Sequence, residues 1–232
     1  SDEFETLMNT IIQLSGGAAK REMSFEEYSH LEYNEFNRQN QRNWVDLYDA
    51  ILVNYFFFLR SQDVPRLQIN WFTEVPKHEE FVIRNNEPKQ ERKIEDTRNM
   101  RNDAYPFFKR LLKRRPDEGW VNSPFIKRPR EGGAEKYVLR TLNFLLKKAV
   151  NKCLPNWDLL DVNMKIIRHT SFRHHLEDDM TLGTYPKIVS FAKNGLTSPP
   201  MLQDTYINYI SRERTLRESK KNMRSSNYSL VK

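Results

Sequence analysis

The sequence predicts a mainly α domain carrying a small antiparallel β-sheet, an α+β fold. Two long apolar patterns at helical spacing, over 43–60 and 134–152, predict the helical part, and three short period-two runs between residues 67 and 95 predict the sheet. The chain has 232 residues, 38% hydrophobic and 12% aromatic, which is enough to bury a sizeable core and too rich in Phe, Tyr and Trp for a disordered polymer.

The elements follow in order. Residues 1–22 hold a short apolar pattern (Phe4, Leu7, Met8, Ile11, Ile12), then Gly16-Gly17 and the basic step Lys20-Arg21, and read as a linker's remnant from a preceding domain. A compact domain is expected over 23–210. It opens at Ser24-Phe25-Glu26-Glu27, where a serine with a glutamate three residues on has the spacing of a capping box. Over 43–60, Trp44, Val45, Leu47, Ile51, Leu52, Val53 and residues 55–59 cover nearly the whole circumference. This helix is expected to be central and buried, with Arg60 a charge at the edge of the core.

After Pro65, the runs 67–71, 80–84 and 91–95 read as strands, the last two joined by the polar turn Asn85-Asn86-Glu87-Pro88-Lys89-Gln90. Helices are expected over 101–114, 134–152 (Val138, Leu139, Leu142, Leu145, Leu146, Val150), 162–177, 185–193 and 199–211. Residues 117–133 mix Gly, Pro and Trp with the basic cluster Lys127-Arg128-Pro129-Arg130. They read as an exposed loop, either touching phosphate or merely solvated. Residues 211–232 form a basic tail whose apolar residues, Leu216, Met223 and Leu230, are too sparse for a stable isolated helix.

Charge narrows the partner. Lys and Arg number 38 against 31 Asp and Glu, a net charge of +7, which favours a polyanion, nucleic acid foremost. The one cysteine, Cys153, excludes a disulfide framework and a cysteine zinc site, and the start of the chain lacks the regions of a signal peptide. Both point to a reducing, intracellular compartment. The longest apolar run, 55–59, is far below the roughly 20 residues of a membrane span. Phosphate-loop, dinucleotide and zinc-protease motifs are absent. His174-His175 beside Glu177-Asp178-Asp179 suggests a metal, but adjacent histidines point apart on a helix, so no metal is expected.

The stretch Asn163-Met164-Lys165-Ile166-Ile167-Arg168-His169-Thr170-Ser171-Phe172 resembles the second arginine box of the tyrosine recombinases, or phage integrases, with its Arg-His-Thr core intact. On a helix, Lys165, Arg168, His169 and Phe172 share one face, so three cationic or imidazole groups can converge on a phosphate. Upstream, Phe58-Leu59-Arg60-Ser61-Gln62-Asp63 resembles the family's first arginine box. The β-element stands where the family has a hairpin with a catalytic lysine; Lys89, Lys93 and the cation Arg84 compete for that role, and Lys89 is chosen for its place in the turn. Downstream, Asn194-Gly195-Leu196-Thr197-Ser198 and then Met201 to Tyr206 are similar to the closing segment that bears the nucleophilic tyrosine. Two positions depart from the family pattern: Lys165 replaces the usual histidine, and Thr197 stands where His or Trp precedes the tyrosine by nine residues. Tyr206 is preferred as nucleophile, with Tyr209 as the alternative.

The resemblance spans about residues 23–211 and implies a tyrosine-recombinase catalytic-domain fold lacking its N-terminal core-binding domain. It implies a phage or mobile-element integrase acting on double-stranded DNA, as a homotetramer linked through its C-terminal tails, in the cytoplasm or nucleoid of a bacterial host. Arg60 and Arg168 would clamp the phosphate, Tyr206 would form a 3′-phosphotyrosyl ester, and Lys89, Lys165 and Thr197 would complete the site. His169 would hydrogen-bond the phosphate, with Lys127, Arg128 and Arg130 on the DNA backbone. The ester conserves the energy of the broken phosphodiester, so neither cofactor nor metal is called for. Two other readings stay open: a type IB topoisomerase, and a non-catalytic nucleic-acid-binding protein derived from a recombinase. An arginine closing a buried helix can also serve only as an ion-pair partner, here of Asp63, and Tyr206 only as a core aromatic.

Overall fold

A computed structural model of the chain describes residues 2–31, 41–66, 72–85, 96–99, 104–114, 134–181, 192 and 197–207. The fold is mainly α with a small antiparallel sheet, and the chain divides into two units, Ser1–Ser171 and Phe172–Lys232.

The first unit opens with α1, Asp2–Leu14, whose Leu7, Met8 and Ile11 form one apolar stripe buried against α3, Gln41–Phe57, and α5, Ala134–Cys153. Leu7, Met8, Ile11, Ala18 and Ala19 thus belong to the core of this unit, within the segment 1–22 that the sequence suggested as a linker's remnant. Helix α1 ends at Gly16 and Gly17, both at positive φ (61° and 82°), which lets Gly17 N–H reach back to the carbonyl of Ile12 at 2.9 Å. Gln41, at the start of α3, donates to the carbonyl of Ser15 at 2.9 Å and ties the two helices together.

The capping box at Ser24 forms as the sequence predicts. Glu27 N–H donates to Ser24 Oγ at 3.2 Å, Ser24 N–H donates to the Glu27 carboxylate at 2.7 Å, and α2 runs Phe25–Ser29. The capping bond holds the Glu27 carboxyl below its ordinary range. Helix α3 is the central buried helix that its apolar circumference predicts. It also buries Arg42, Asp46, Asp49 and Asn54, each of which needs a partner. Tyr28 donates to Asp46, and the Arg42 guanidinium lies 4.8 Å from the centroid of the Tyr28 ring.

Three strands make one antiparallel sheet in the order β1, Phe72–Val75; β2, Glu80–Asn85; β3, Asp96–Asn99. Phe72 pairs with Ile83, and Val82 with Asn99. A short 3₁₀ turn, Pro76–His78, and Glu79 at φ 50° reverse the chain between β1 and β2. The expected strand runs 67–71 and 91–95 lie outside the described residues. Phe72 and Phe81 seat the sheet on Phe108 at ring-centroid distances of 5.6 and 5.7 Å; Phe108 in turn packs edge-on against Phe57 at 5.0 Å.

Phe108 belongs to α4, Tyr105–Arg114; residues 101–103 of the expected helix 101–114 lie outside the described residues. Its last residue is a buried arginine, only 2% exposed. Arg114 forks onto the Asp49 carboxylate at 3.0 and 3.1 Å and gives its other nitrogen to the carbonyls of Ala19 and Arg21, both at 3.1 Å. One guanidinium therefore joins α4, α3 and the segment after α1. Helix α5 contributes Val138, Leu142, Leu145, Leu146, Ala149 and Val150 to the same core. A loop then leads to α6, Met164–Thr181, which runs through the boundary between the units.

In the second unit, Ser198 accepts from the N–H of Met201 and caps α7, Pro199–Leu202; a π-helical turn, Gln203–Ile207, follows directly. Of the expected helix 185–193, only Ala192 is described, and it is helical.

Candidate active site

Two elements of the first unit carry the arginine pair. Helix α3 stops at Phe57 because Phe58 adopts a left-handed conformation, φ 53°, and Leu59 N–H returns to the carbonyl of Asn54 at 3.2 Å. A bulky residue rarely takes that conformation. Here the near-complete burial of Phe58 and Leu59 offsets the backbone cost and fixes the direction in which the chain leaves the helix. Arg60 is the next residue and is exposed. Its carbonyl accepts from Asp63 N–H at 2.8 Å, closing a turn.

Helix α6 bears the Arg-His-Thr core. Its N-terminus is set by Asn163, whose side chain accepts from Lys165 N–H at 3.0 Å, and by Asn143 of α5, whose side chain accepts from Met164 N–H at 2.8 Å. Exposure is graded along the face predicted for phosphate: Lys165 is exposed, Arg168 and His169 are half-buried, and Phe172 is buried.

Two hydrogen bonds fasten this helix to the end of α3. Asn54 donates its side-chain N–H to the carbonyl of Met164 at 3.2 Å, and the Ser171 hydroxyl donates to the carbonyl of Tyr55. They bracket the motif, one at each end of residues 164–171. These bonds join α6, which carries Arg168, to the last turns of α3, the helix that precedes Arg60. Sequence reasoning missed the positioning role of both side chains.

His169 is electrostatically distinct. Burial, and then the positive charges of Lys165 and Arg168, hold its imidazole below the ordinary histidine value. This favours the neutral ring, in which one nitrogen can donate and the other can accept. That suits a hydrogen bond to phosphate or the receipt of a proton.

Thr197 and Tyr206 belong to the second unit. Thr197 N–H donates to the carbonyl of Ala192 at 2.9 Å, and its hydroxyl donates to the Met201 sulfur at 3.0 Å. Tyr206 sits in the π-helical turn, 8% exposed, with its ring 5.4 Å from that of Phe172. Nearby, Arg173 pairs with Glu177 at 3.0 Å, one turn along α6. Among the described residues no group of three or more His, Cys, Asp or Glu is placed to hold a metal ion.

Lys89 and its rival Lys93, the basic cluster Lys127, Arg128 and Arg130, Tyr209 and the tail 211–232 lie outside the described residues; Arg84 is a residue of β2, where it pairs with Thr97. Among the described residues no helix is long and apolar enough to cross a membrane. No family model, curated protein or solved structure matches the chain.

Proposed function

We propose that this chain is the catalytic domain of a tyrosine-type site-specific DNA recombinase, which cuts and rejoins DNA through a 3′-phosphotyrosyl intermediate. The observation that supports the reading is the fastening of α6, with Arg168 and His169, to the last turns of α3, which lead into Arg60. One arginine on α6 and one in the turn that follows α3 would meet the charge that builds on the non-bridging oxygens as phosphorus becomes five-coordinate.

The Tyr206 oxygen attacks phosphorus, the bond to the 5′ oxygen breaks, and Lys89 protonates that leaving oxygen. The phenolic proton passes to neutral His169 or through Lys165. Rejoining reverses each transfer with a different 5′ hydroxyl, so no external energy source enters the balance. Double-stranded DNA is the partner, tetramers form on it through the tails, and the cytoplasm or nucleoid of a bacterial host is the place of work.

A second reading, a non-catalytic DNA-binding protein derived from a recombinase, is favoured by the burial of Tyr206 and by Lys165 and Thr197 at positions where the family has other groups. A nicked suicide substrate separates the two. The recombinase accumulates a covalent protein–DNA adduct resistant to denaturant, whereas binding without any adduct selects the second reading. Relaxation of supercoiled plasmid without strand exchange would indicate topoisomerase chemistry instead.

A further inference from the structure

Helix α5 buries one side in the core and turns a second, chemically uniform side outward. Arg140, Phe144, Lys148, Asn151 and Lys152 are exposed, and Lys147 is half-exposed beside them. At 3.6 residues per turn these six positions fall within an arc of roughly 140°. No Asp or Glu follows Glu135 in this helix. The Lys148 ammonium lies 4.9 Å from the centroid of the Phe144 ring, so the aromatic holds one of the cations in place. The next carboxylates after the helix, Asp158 and Asp161, lie in the following loop, and Asp158 is engaged locally by Leu160 N–H at 2.9 Å.

This face borders the start of α6. Asn143, the residue before Phe144, accepts the N–H of Met164, and exposed Lys165 comes next on α6. A polyanion that reaches Lys165 and Arg168 therefore meets the α5 cations on the adjoining element.

We infer that the outward face of α5 is a track for the phosphodiester backbone of duplex DNA flanking the scissile phosphate, with Arg140, Lys147, Lys148 and Lys152 as phosphate contacts and Phe144 as the residue that positions Lys148. The inference rests on the reading of the chain as a DNA-binding protein and not on strand cleavage. Charge complementarity selects the occupant: a face of cations with a single amide and a single ring matches a regular row of phosphates, and sequence-independent backbone contacts need no more.

The test measures binding of the full chain to a short duplex as a function of salt. Wild type is expected to show a steep log–log dependence. Lys147→Ala/Lys148→Ala/Lys152→Ala should bind at least about tenfold more weakly at physiological salt, with a slope shallower by about 2–3, whereas Lys→Arg at the same three positions keeps the slope. Phe144→Leu, which keeps apolar bulk but frees Lys148, should lose up to about one unit of slope. All of these side chains are at the surface, and an unchanged thermal midpoint verifies the fold.

A triple alanine variant with wild-type affinity and slope overturns the α5 track while leaving the recombinase reading intact. A wild-type chain without DNA affinity overturns both. Competition by poly-glutamate as effective as by DNA of equal charge would assign the face to an acidic polypeptide, and would also overturn the inference.

Discussion

The side-chain amide of Asn54 donates to the carbonyl of Met164, and these two buried residues, 110 positions apart in sequence, join the helix that leads to Arg60 with the helix that carries Arg168. The bond from Ser171 to Tyr55 repeats the connection at the other end of the motif. Neither side chain touches a reacting atom. Their work is to fix how the end of α3 meets α6.

The first prediction tests that connection. Asn54→Ala and Ser171→Ala should each lower stability by about 1–2 kcal/mol, as loss of one buried hydrogen bond with a small cavity does. Because both act on the same helix pair, the double variant should deviate from additivity by at least about 0.5 kcal/mol. Denaturant titration gives these values. Additive effects would mean that the two bonds act on separate parts of the fold.

The second concerns Arg114 and Asp49. Asp49→Ala leaves a guanidinium in the core with only two carbonyls and should cost about 3–5 kcal/mol, whereas the combined Asp49→Leu/Arg114→Met replacement should cost much less. A double variant no more stable than Asp49→Ala alone would show that the carbonyl bonds of Arg114, rather than the ion pair, hold α4 in place.

These buried polar groups mark the limit of what the sequence shows. Local signals were legible: the Ser24–Glu27 capping box and the apolar circumference of α3 each specify their element without long-range information. Packing decided the rest. The stripe Leu7, Met8, Ile11 is too short to identify a core helix by itself, and becomes one only because α3 and α5 present an apolar surface to it. Asp46, Asp49 and Asn54 interrupt the α3 pattern and signal buried partners, but nothing local says that these are Tyr28, Arg114 and Met164. The same holds for the site. The Arg168–His169 face could be read from helical spacing, whereas its attachment to α3 depends on Ser171 and Asn54, whose partners are distant in sequence.

His169 provides a test by pH. Its imidazole lies below the ordinary value of about 6.5 because of burial first, then Lys165 and Arg168. The unfolded chain therefore binds more protons here than the folded one in the window from about pH 6.5 down to the folded value. The stability contributed by the neutral ring is complete above that window and is lost as pH falls through it. Titration of the ring by NMR should give a midpoint below 6.5. Lys165→Gln should raise it without restoring the ordinary value, since burial remains. A midpoint at or above 6.5 in the wild type would refute this account of the site's electrostatics.

The arginine clamp is tested by single substitutions. Arg168→Ala and Arg60→Ala should each slow strand cleavage by on the order of 10²–10³ or more, the usual loss for a preorganised donor to a developing oxyanion, with the fold retained. Arg60 is exposed in the turn that follows α3, so its removal should change stability by less than about 1 kcal/mol. If Arg60→Ala instead unfolds readily while its folded fraction cleaves normally, the residue is an ion-pair partner and not part of the clamp.

Tyr206 has a structural role in packing and is the proposed nucleophile, and the two can be separated by choice of substitution. Its ring packs against Phe172 in a buried position, so Tyr206→Ala would remove a large aromatic and cost about 3–5 kcal/mol, confounding any loss of activity with loss of fold. Tyr206→Phe keeps the ring and removes only the phenolic oxygen. That variant should fold, stack on Phe172 and bind duplex DNA as the wild type does, yet form no covalent adduct with a suicide substrate. Truncation after residue 210 should behave differently, impairing assembly on DNA in a concentration-dependent manner while leaving the oxygen in place. An adduct formed by Tyr206→Phe would transfer the nucleophile to Tyr209, and an adduct surviving replacement of both tyrosines by Phe would exclude both.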